Sequence, residues 1–183
     1  EGVIDLVASD HSPCPPALKR HGEGDFMAAW GGIPSLQVSL SAIWTGARER
    51  GFTPADIACW MGERPARLAG LAGRKGVIAP GADADLVVWE PEAEWTVEGA
   101  RLHHRHPLTP YEGRRLRGSV RSTFLRGTCV FERGTGGQGG DRFPAPPTGR
   151  LLERSPGGGG GGWGDHGERT AGSSAVDPAG GSR

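Results

Sequence analysis

A short apolar run that ends in a polar cluster constrains this chain more than any other feature. Ile4–Ala8 is largely apolar, Ser9–Ser12 is polar, and prolines follow at positions 13, 15 and 16. A run of this length is typical of a strand buried on both faces of a parallel sheet. The prolines end the strand and start a loop. The sequence therefore places Asp10 at the C-terminal end of a strand, where barrels and open α/β sheets carry their reactive groups.

The residues that follow the run offer several chemical roles. Asp10 is either a metal ligand and general base or a cap for the next turn. Because neighbouring strand residues face opposite ways, we expect Asp10 to face the site and His11 to support it from behind. Ser12 is placed to offer its hydroxyl or its N–H to a substrate carbonyl. Cys14 has no partner at metal-ligand spacing and is expected to be a small packed thiol.

Composition limits the classes of molecule that this protein is expected to bind. Among 183 residues, 21 basic and 21 acidic side chains give zero net charge, so nucleic acid and anionic membranes are not the expected partners and a small molecule is. No apolar run approaches the roughly 20 residues that cross a bilayer. The three cysteines, Cys14, Cys59 and Cys129, are widely spaced. They indicate a reducing compartment, the cytoplasm or an organelle such as the peroxisome.

The order of the elements predicts two packing units. Helices are expected over Ser35–Arg50, after a cap at Thr53, and from Pro65 to Leu71. Short strands are expected at the following places: Gly76–Ile78, Asp85–Trp89, Trp95–Val97, and a hairpin of Ser119–Leu125 with Cys129–Phe131. Helices followed by strands suggest a boundary near Ala72.

The two ends of the chain carry separate expectations. Residues 135–154 form an extended surface segment, and residues 155–183 form a Gly-rich disordered tail. The sequence begins at Glu1-Gly2 without a Met or a signal-peptide pattern. We therefore expect a chain cut inside a domain.

Two further clusters contain residue types that can bind a metal ion. His103, His104 and His106 include an H-x-H pair, but their position between strands favours a polar segment packed against the barrel. Asp83 and Asp85 lack the other oxygen ligands of a calcium loop, so turn and strand-start roles are expected.

Several strings occur together in a recognisable order. They are SDHSPC, WGG from Trp30, RPARLAGL, KGVIAPGADADLVVW, H-x-H-x-LTPYEG and FLRGTCVF. In this order they resemble the C-terminal part of the allantoinase family, a cyclic-amidohydrolase branch of the metal-dependent amidohydrolases, over Ile4 to Leu152. The G-x-I-x-x-G-x-D-A-D-L-V pattern marks the superfamily, while SDHSPC and WGG favour this branch.

The resemblance implies an α/β fold: the last strand and following helices of a TIM-like (β/α)8 barrel over residues 1–72, joined to β-sandwich strands over 73–134. It implies two divalent metals, usually zinc, with Asp10 as one ligand and as the catalytic base. It also implies that Ser12, Gly31 and Gly32 contact an allantoin-like cyclic ureide. The family's other ligands, an H-x-H pair, a carboxylated Lys and two His, belong to earlier strands.

The function expected from the resemblance is hydrolysis of allantoin to allantoate in purine catabolism, by a homo-oligomer when complete. Because a single ligand cannot hold a two-metal centre, the chain alone is expected to be inactive. A hydantoinase or dihydropyrimidinase is the alternative within the class. A non-catalytic interaction protein on the same fold is the alternative outside it, although Asp10 argues against that interpretation.

Overall fold

The computed structural model describes residues 4–20, 22, 24–134 and 140–152. Within these residues, three α-helices cover Ser39–Arg48 (α1), Pro54–Ala58 (α2) and Arg64–Leu68 (α3). Three strands of the same described part, Leu86–Thr96 (β1), Arg115–Leu125 (β2) and Thr128–Glu132 (β3), form one antiparallel sheet in the order β1-β2-β3. Short 3₁₀ turns cover Pro16–Lys19, Leu36–Val38 and Gly99–Arg101. The predicted tail, 155–183, lies outside the described residues.

The predicted strand at Ile4–Ala8 is wrong in this structure. Residues 4–10 have no regular secondary structure, and His11 makes only an isolated parallel bridge to Ile33. Ile4 is 70% exposed. A parallel strand depends on backbone partners on both sides. Among the described residues, the backbone of residues 4–8 makes one such hydrogen bond, from the N–H of Val7 to the carbonyl of Trp60 at 3.1 Å.

The first predicted helix is confirmed, with a shift in its buried face. The 3₁₀ turn Leu36–Val38 leads directly into α1, and Gly51, with φ of +82°, follows the end of the helix. Val38 is 1% exposed, whereas Leu36, expected on the buried face, is 62% exposed. A 3₁₀ turn has three residues per turn, so it shifts the apolar face relative to an α-helix.

The second and third predicted helices are one continuous segment. The predicted cap is present: the N–H of Thr53 donates to Asp56 Oδ2 at 2.7 Å, and Pro54 starts α2. A π-type turn, Cys59–Glu63, then connects α2 to α3 without a break. Pro65 explains this turn, because its ring cannot fit the preceding turn of an ordinary α-helix.

The strand predictions are partly correct. Asp85–Trp89 and Trp95–Val97, predicted as separate strands, are combined in the single strand β1, whose pairing with β2 is irregular at Val88/Trp89 and Glu90/Glu94. The predicted strand Gly76–Ile78 is absent, because Gly76 has φ of +77°. The predicted hairpin is confirmed: Leu125 pairs with Thr128. Its two-residue turn has the positive φ angles, +49° and +81°, of a primed hairpin turn.

The core lies between α1 and the sheet. One cluster joins Val38 to Val97, Leu102 and Leu116, and a second joins Trp44, Ala47 and Ile57. The rings of Trp44 and Trp89 meet edge to face, with 5.5 Å between centroids. Hydrogen bonds cross the same interface: Ser41 Oγ donates to the carbonyl of Gly118, and the N–H of Arg117 donates to Thr45 Oγ1 at 2.8 Å.

Residues 140–152 run beside β3. Arg142 exchanges two backbone hydrogen bonds with Glu132, at 2.9 and 2.8 Å, and Arg126 donates to the carbonyl of Thr148 at 3.0 Å. Within the described part of the chain, no helix combines the length and apolarity needed to cross a membrane.

Candidate active site

Three segments distant in sequence meet around Asp10. Residues 9–12 contact residues 32–36 at several points. Ser35 Oγ donates to the carbonyl of Ser9 at 2.5 Å, and the N–H of Ser12 donates to the carbonyl of Ile33 at 2.9 Å. The third segment, residues 103–109, joins through His103, whose N–H donates to Gln37 Oε1 at 2.7 Å. Residues 35–37, which lead into α1, therefore contact both the Asp10 loop and the histidine segment.

Asp10 lies at the turn of the loop and not inside a strand. Its φ is +44°, in the left-handed region that Asp tolerates better than most residues. Asp10 is exposed, and none of the described residues donates a hydrogen bond to its carboxylate. The capping alternative is therefore not realised at this residue. Asp25 plays that role instead, since its Oδ1 accepts from the N–H groups of Met27 and Ala28, both at 3.1 Å.

His11 supports the loop from behind. Its Nδ1 accepts from the N–H groups of Ser35 and Leu36, at 3.1 and 3.2 Å. The imidazole thereby satisfies backbone donors at the start of the helical segment, which would otherwise lack partners. His11 was predicted to support Asp10, and the structure shows it fixing the loop to Ser35 and Leu36, just before α1.

Ser12 and Gly32 are pressed against each other. A Cβ added to Gly32 would lie 2.1 Å from Ser12 Oγ, so only glycine fits there, whereas a Cβ on Gly31 would meet nothing within 4 Å. The N–H of Ser12 is engaged by Ile33, and its hydroxyl donates to the carbonyl of Asp10 at 3.3 Å. Of the two groups predicted to reach substrate, only the hydroxyl can exchange partners easily.

Lys19 holds the glycine segment in place. Its Nζ donates to the carbonyl of Trp30 at 2.9 Å and to the carbonyl of Gly32. The N–H of Trp30 donates to the carbonyl of Leu18 at 2.8 Å. The N–H and carbonyl of Gly31, by contrast, form no hydrogen bond with the described residues, so they remain able to bind a ligand.

His104 is the residue that the sequence interpretation missed. Its ring lies edge to face with His11, with 6.3 Å between centroids, and its Nε2 is buried without a hydrogen-bond partner among the described residues. Burial, then the nearby His11, lowers the pKa of His104, so the neutral ring is favoured. The H-x-H pair drew attention to this segment, but nothing in the sequence indicated that His104 faces His11.

His103 points elsewhere in the structure. Its Nε2 lies 2.9 Å from Asp141 Oδ2, and its ring lies 5.0 Å from that of Phe143. The segment was expected to be polar and packed against the rest of the fold. In the structure, His104 lies beside the Asp10 loop, whereas His103 contacts residues 140–152.

The other candidate groups have structural roles. Cys14 is 5% exposed and packed, and Cys59 and Cys129 are also free thiols. Asp83 and Asp85 both pair with Lys75, and Asp85 Oδ1 also accepts from the N–H of Arg126 at 2.8 Å. Asp85 thus links the first strand to the β2–β3 turn.

Asp10 fits as one ligand of a metal site. It is an exposed carboxylate without a hydrogen-bond partner among the described residues, the type of oxygen donor that divalent ions accept. The part of the chain that the structure describes contains no group of three His, Cys, Asp or Glu side chains able to hold an ion. Asp10 alone cannot form a site.

Comparison with known proteins gives a consistent result. Residues 1–130 match the amidohydrolase family. The chain is 49% identical over 136 residues to an allantoinase of Arabidopsis thaliana, covering 73% of this chain and 27% of the relative. It is 47% identical over 156 residues to an allantoinase of Streptomyces avermitilis, covering 85% and 32%.

Solved structures give a related picture. A D-hydantoinase structure matches with a TM-score of 0.65 at 33% identity, over 70% of this chain and 28% of the other. The L-hydantoinase (dihydropyrimidinase) of Arthrobacter aurescens matches with a TM-score of 0.68 at 31% identity, over 73% and 30%. The chain thus spans between a quarter and a third of the length of these relatives.

Proposed function

Because this chain belongs to the amidohydrolase family, we propose that the complete protein carrying it is an allantoinase, which hydrolyses the cyclic amide of allantoin to allantoate. The observation that carries the proposal is 49% and 47% identity to allantoinases over stretches that span most of the chain. The local geometry supports it, since the Asp10 loop is held against the glycine segment by contacts that few side chains would permit.

Asp10 takes the role of catalytic base in this proposal. Its exposed carboxylate accepts the proton of the attacking water and returns it to the ring nitrogen that leaves. The left-handed turn at Asp10, with φ of +44°, is the kind of strained backbone that occurs at functional sites. The absence of a capping hydrogen bond from the described residues leaves the carboxylate free for this work.

Ser12 and the glycine segment bind the ureide. The Ser12 hydroxyl, which now bonds the carbonyl of Asp10, can turn to a substrate carbonyl. Gly31 offers an N–H and a carbonyl that the described residues leave unbonded, and a cyclic ureide presents both complementary groups. Gly32 contributes by shape, because it allows Ser12 to approach the backbone.

Two divalent ions, zinc in this proposal, complete the site. Asp10 supplies one ligand, and the others would come from residues outside the described chain. When bound, such ions lower the pKa of water so that it attacks the ring at neutral pH. The chain alone would neither bind zinc in stoichiometric amounts nor hydrolyse allantoin, since the described residues offer no group of three ligands.

The finer architecture belongs to the same proposal. Residues 1–72 would be the last strand and helices of a TIM-like barrel, and residues 73–134 would be part of a β-sandwich. The segment Ile4–Asp10, irregular here, would gain strand partners in the complete barrel. A homo-oligomeric, cytoplasmic enzyme acting on a small molecule completes the proposal.

A second candidate within the class is a hydantoinase or dihydropyrimidinase. Two solved structures with a similar fold carry those names, at 31–33% identity. The allantoinases are more similar in sequence, at 47–49%. A hydantoin ring is common to allantoin and the hydantoinase substrates, so contacts with the ring alone do not separate them.

The test is a substrate panel on the complete purified protein. Zinc content is measured first, and ring opening is then followed with allantoin, hydantoin and dihydrouracil. We expect kcat/KM for allantoin to exceed the other two values by at least about 10-fold, as for a site that bonds the ureido group of its substrate. Preference for hydantoin or dihydrouracil would move the protein to the second candidate. Zinc binding without any ring opening would favour the non-catalytic alternative.

A further inference from the structure

His104 has an unmet hydrogen-bonding requirement beside the proposed site. In the described part of the chain, its Nε2 is the one buried side-chain nitrogen or oxygen atom without a hydrogen-bond partner. A buried polar atom without a hydrogen-bond partner destabilises the folded state, because it has lost its bonds to water. Such an atom requires an explanation, and a partner that completes it in the working protein is the usual one.

The neighbouring histidine has a complementary polarity. Because His11 Nδ1 accepts two backbone N–H groups, at 3.1 and 3.2 Å, the ring proton of neutral His11 is on Nε2. The Nε2–H of His11 is therefore a hydrogen-bond donor. His104 Nε2, which is buried and has no partner among the described residues, can accept this hydrogen bond when the ring proton of His104 is on Nδ1.

From this complementarity we infer that His104 is a positioning residue for the proposed hydrolysis: its Nε2 accepts a hydrogen bond from His11 Nε2–H, directly or through one water molecule, and so fixes the Asp10–Ser12 loop. With 6.3 Å between centroids, the two rings already stand edge to face. A shift of the loop closes the gap, or a water fills it, because both nitrogens are polar. The inference rests on the proposed function, since the loop that it fixes carries Asp10.

The arrangement gives His104 an effect beyond its own contacts. His11 lies between Asp10 and Ser12 in sequence and is fixed on its Nδ1 side to the backbone of Ser35 and Leu36. The bond from His104 would fix the opposite side of the ring, so that the imidazole could not rotate. Loss of that restraint would displace the Asp10 carboxylate without removing it, and small displacements of catalytic groups reduce rates strongly.

Two substitutions separate this role from a purely structural one. His104→Leu removes the acceptor and keeps apolar bulk, and His104→Gln keeps an acceptor in a side chain of similar length. His106→Leu, the same change two positions along the same segment, is the control. In the complete protein, with the cyclic amide that it opens, we expect kcat of H104L to fall about 10-fold or more. In H104L, we expect KM to change less than kcat and zinc content to stay unchanged. We expect kcat of H104Q and of H106L to stay near the wild-type value.

Thermal unfolding provides a readout that is independent of activity. If His104 Nε2 is bonded in the working protein, H104L lowers Tm and H104Q largely restores it. If Nε2 is simply trapped, removing it raises Tm or leaves it unchanged, which would overturn the inference. An equal loss of kcat in H106L would overturn it as well. A wild-type protein that opens no ring would refute the proposed function, while the Tm series would still decide the role of His104.

Discussion

The sheet and the Asp10 loop differ in how many contacts hold each in place. In the sheet, β1 and β2 pair along most of their length, and charged side chains pair across them, such as Arg121 with Glu90 at 2.8 Å. The Asp10 loop depends on a small number of hydrogen bonds, made mainly by His11, Lys19 and Ser35. Phe26 and Met27, in the same loop region, are 90% and 96% exposed. Substitutions in the loop should therefore affect chemistry, and substitutions in the sheet should affect stability.

The largest expected effect in the loop follows from Asp10→Asn. Asparagine keeps the shape but cannot accept the proton or supply a charged metal ligand. We expect kcat/KM of the complete protein to fall about 10³-fold, within the range for loss of a general base. Zinc content, measured in parallel, shows whether the loss includes the metal. Asp5→Asn, an exposed Asp of the same segment, is the control and should remain within about twofold of wild type. A D10N protein with full activity would remove Asp10 from the site.

The largest expected effect in the sheet follows from Gly118→Ala. Gly118 has φ of +86°, and an added Cβ would lie 3.0 Å from the ring of Trp89 and 3.1 Å from that of Trp44. Backbone strain and overpacking together should destabilise the fold by about 3 kcal/mol. Gly127→Ala is matched in φ, at +81°, but its Cβ meets nothing within 4 Å. It should therefore cost about 1–2 kcal/mol. Urea unfolding of both variants, followed by Trp fluorescence, measures the difference, and equal losses would contradict the packing argument.

Gly32→Ala brings the same kind of steric test into the loop. The new Cβ would overlap Ser12 Oγ, at 2.1 Å, so the loop must move. We expect kcat/KM to fall about 10-fold or more, with little change in Tm, because the loop contributes few contacts to the fold. Gly31→Ala, which is unobstructed, should lose less. If G32A lowers Tm as much as G118A while activity per folded molecule is unchanged, the contrast between the two regions is wrong.

The sequence predicted the features that neighbouring residues determine. The Thr53–Asp56 cap and the Arg126-Gly127 hairpin turn depend on a few adjacent residues, and both are present. The resemblance to allantoinases was equally local, carried by strings such as SDHSPC, and the comparisons confirm it. Features that depend on distant partners were missed. The strand at Ile4–Ala8 lacks strand partners among the described residues, and the fusion of two predicted strands into β1 depends on its pairing with β2.

The site shows the same division. Asp10, Ser12 and the glycine pair could be selected from their motifs, and their proposed roles remain predictions. The close contact of Gly32 with Ser12 could be anticipated only as an unspecified close approach. The position of His104 beside His11 depends on the whole intervening chain. No local pattern encodes such a contact, because side chains distant in sequence meet only after the core between α1 and the sheet has formed.

The smallest expected effect concerns the ion cluster at the start of β1. Burial opposes ionisation of Asp85, but hydrogen bonds from Lys75 and from the backbone N–H of Arg126 outweigh it and lower the pKa of this carboxyl. A group with a lowered pKa stabilises the fold above its unfolded pKa, and that contribution is lost as the pH falls through the folded value.

Asp85→Asn should therefore lower the free energy of unfolding at pH 7, measured with urea, by at most about 1 kcal/mol. The effect is small because the pair of Lys75 and Asp85 is partly solvated. The difference from wild type should shrink as the pH falls below the ordinary Asp value of 3.8. The exposed Glu49, changed to Gln, is the control and should follow wild type throughout. A D85N deficit that is equally large at pH 7 and at pH 3 would mean that Asp85 acts through packing and not through its charge. Side-chain packing would then matter more than charge at this end of the sheet, as the close contact of Gly32 with Ser12 suggests for the loop.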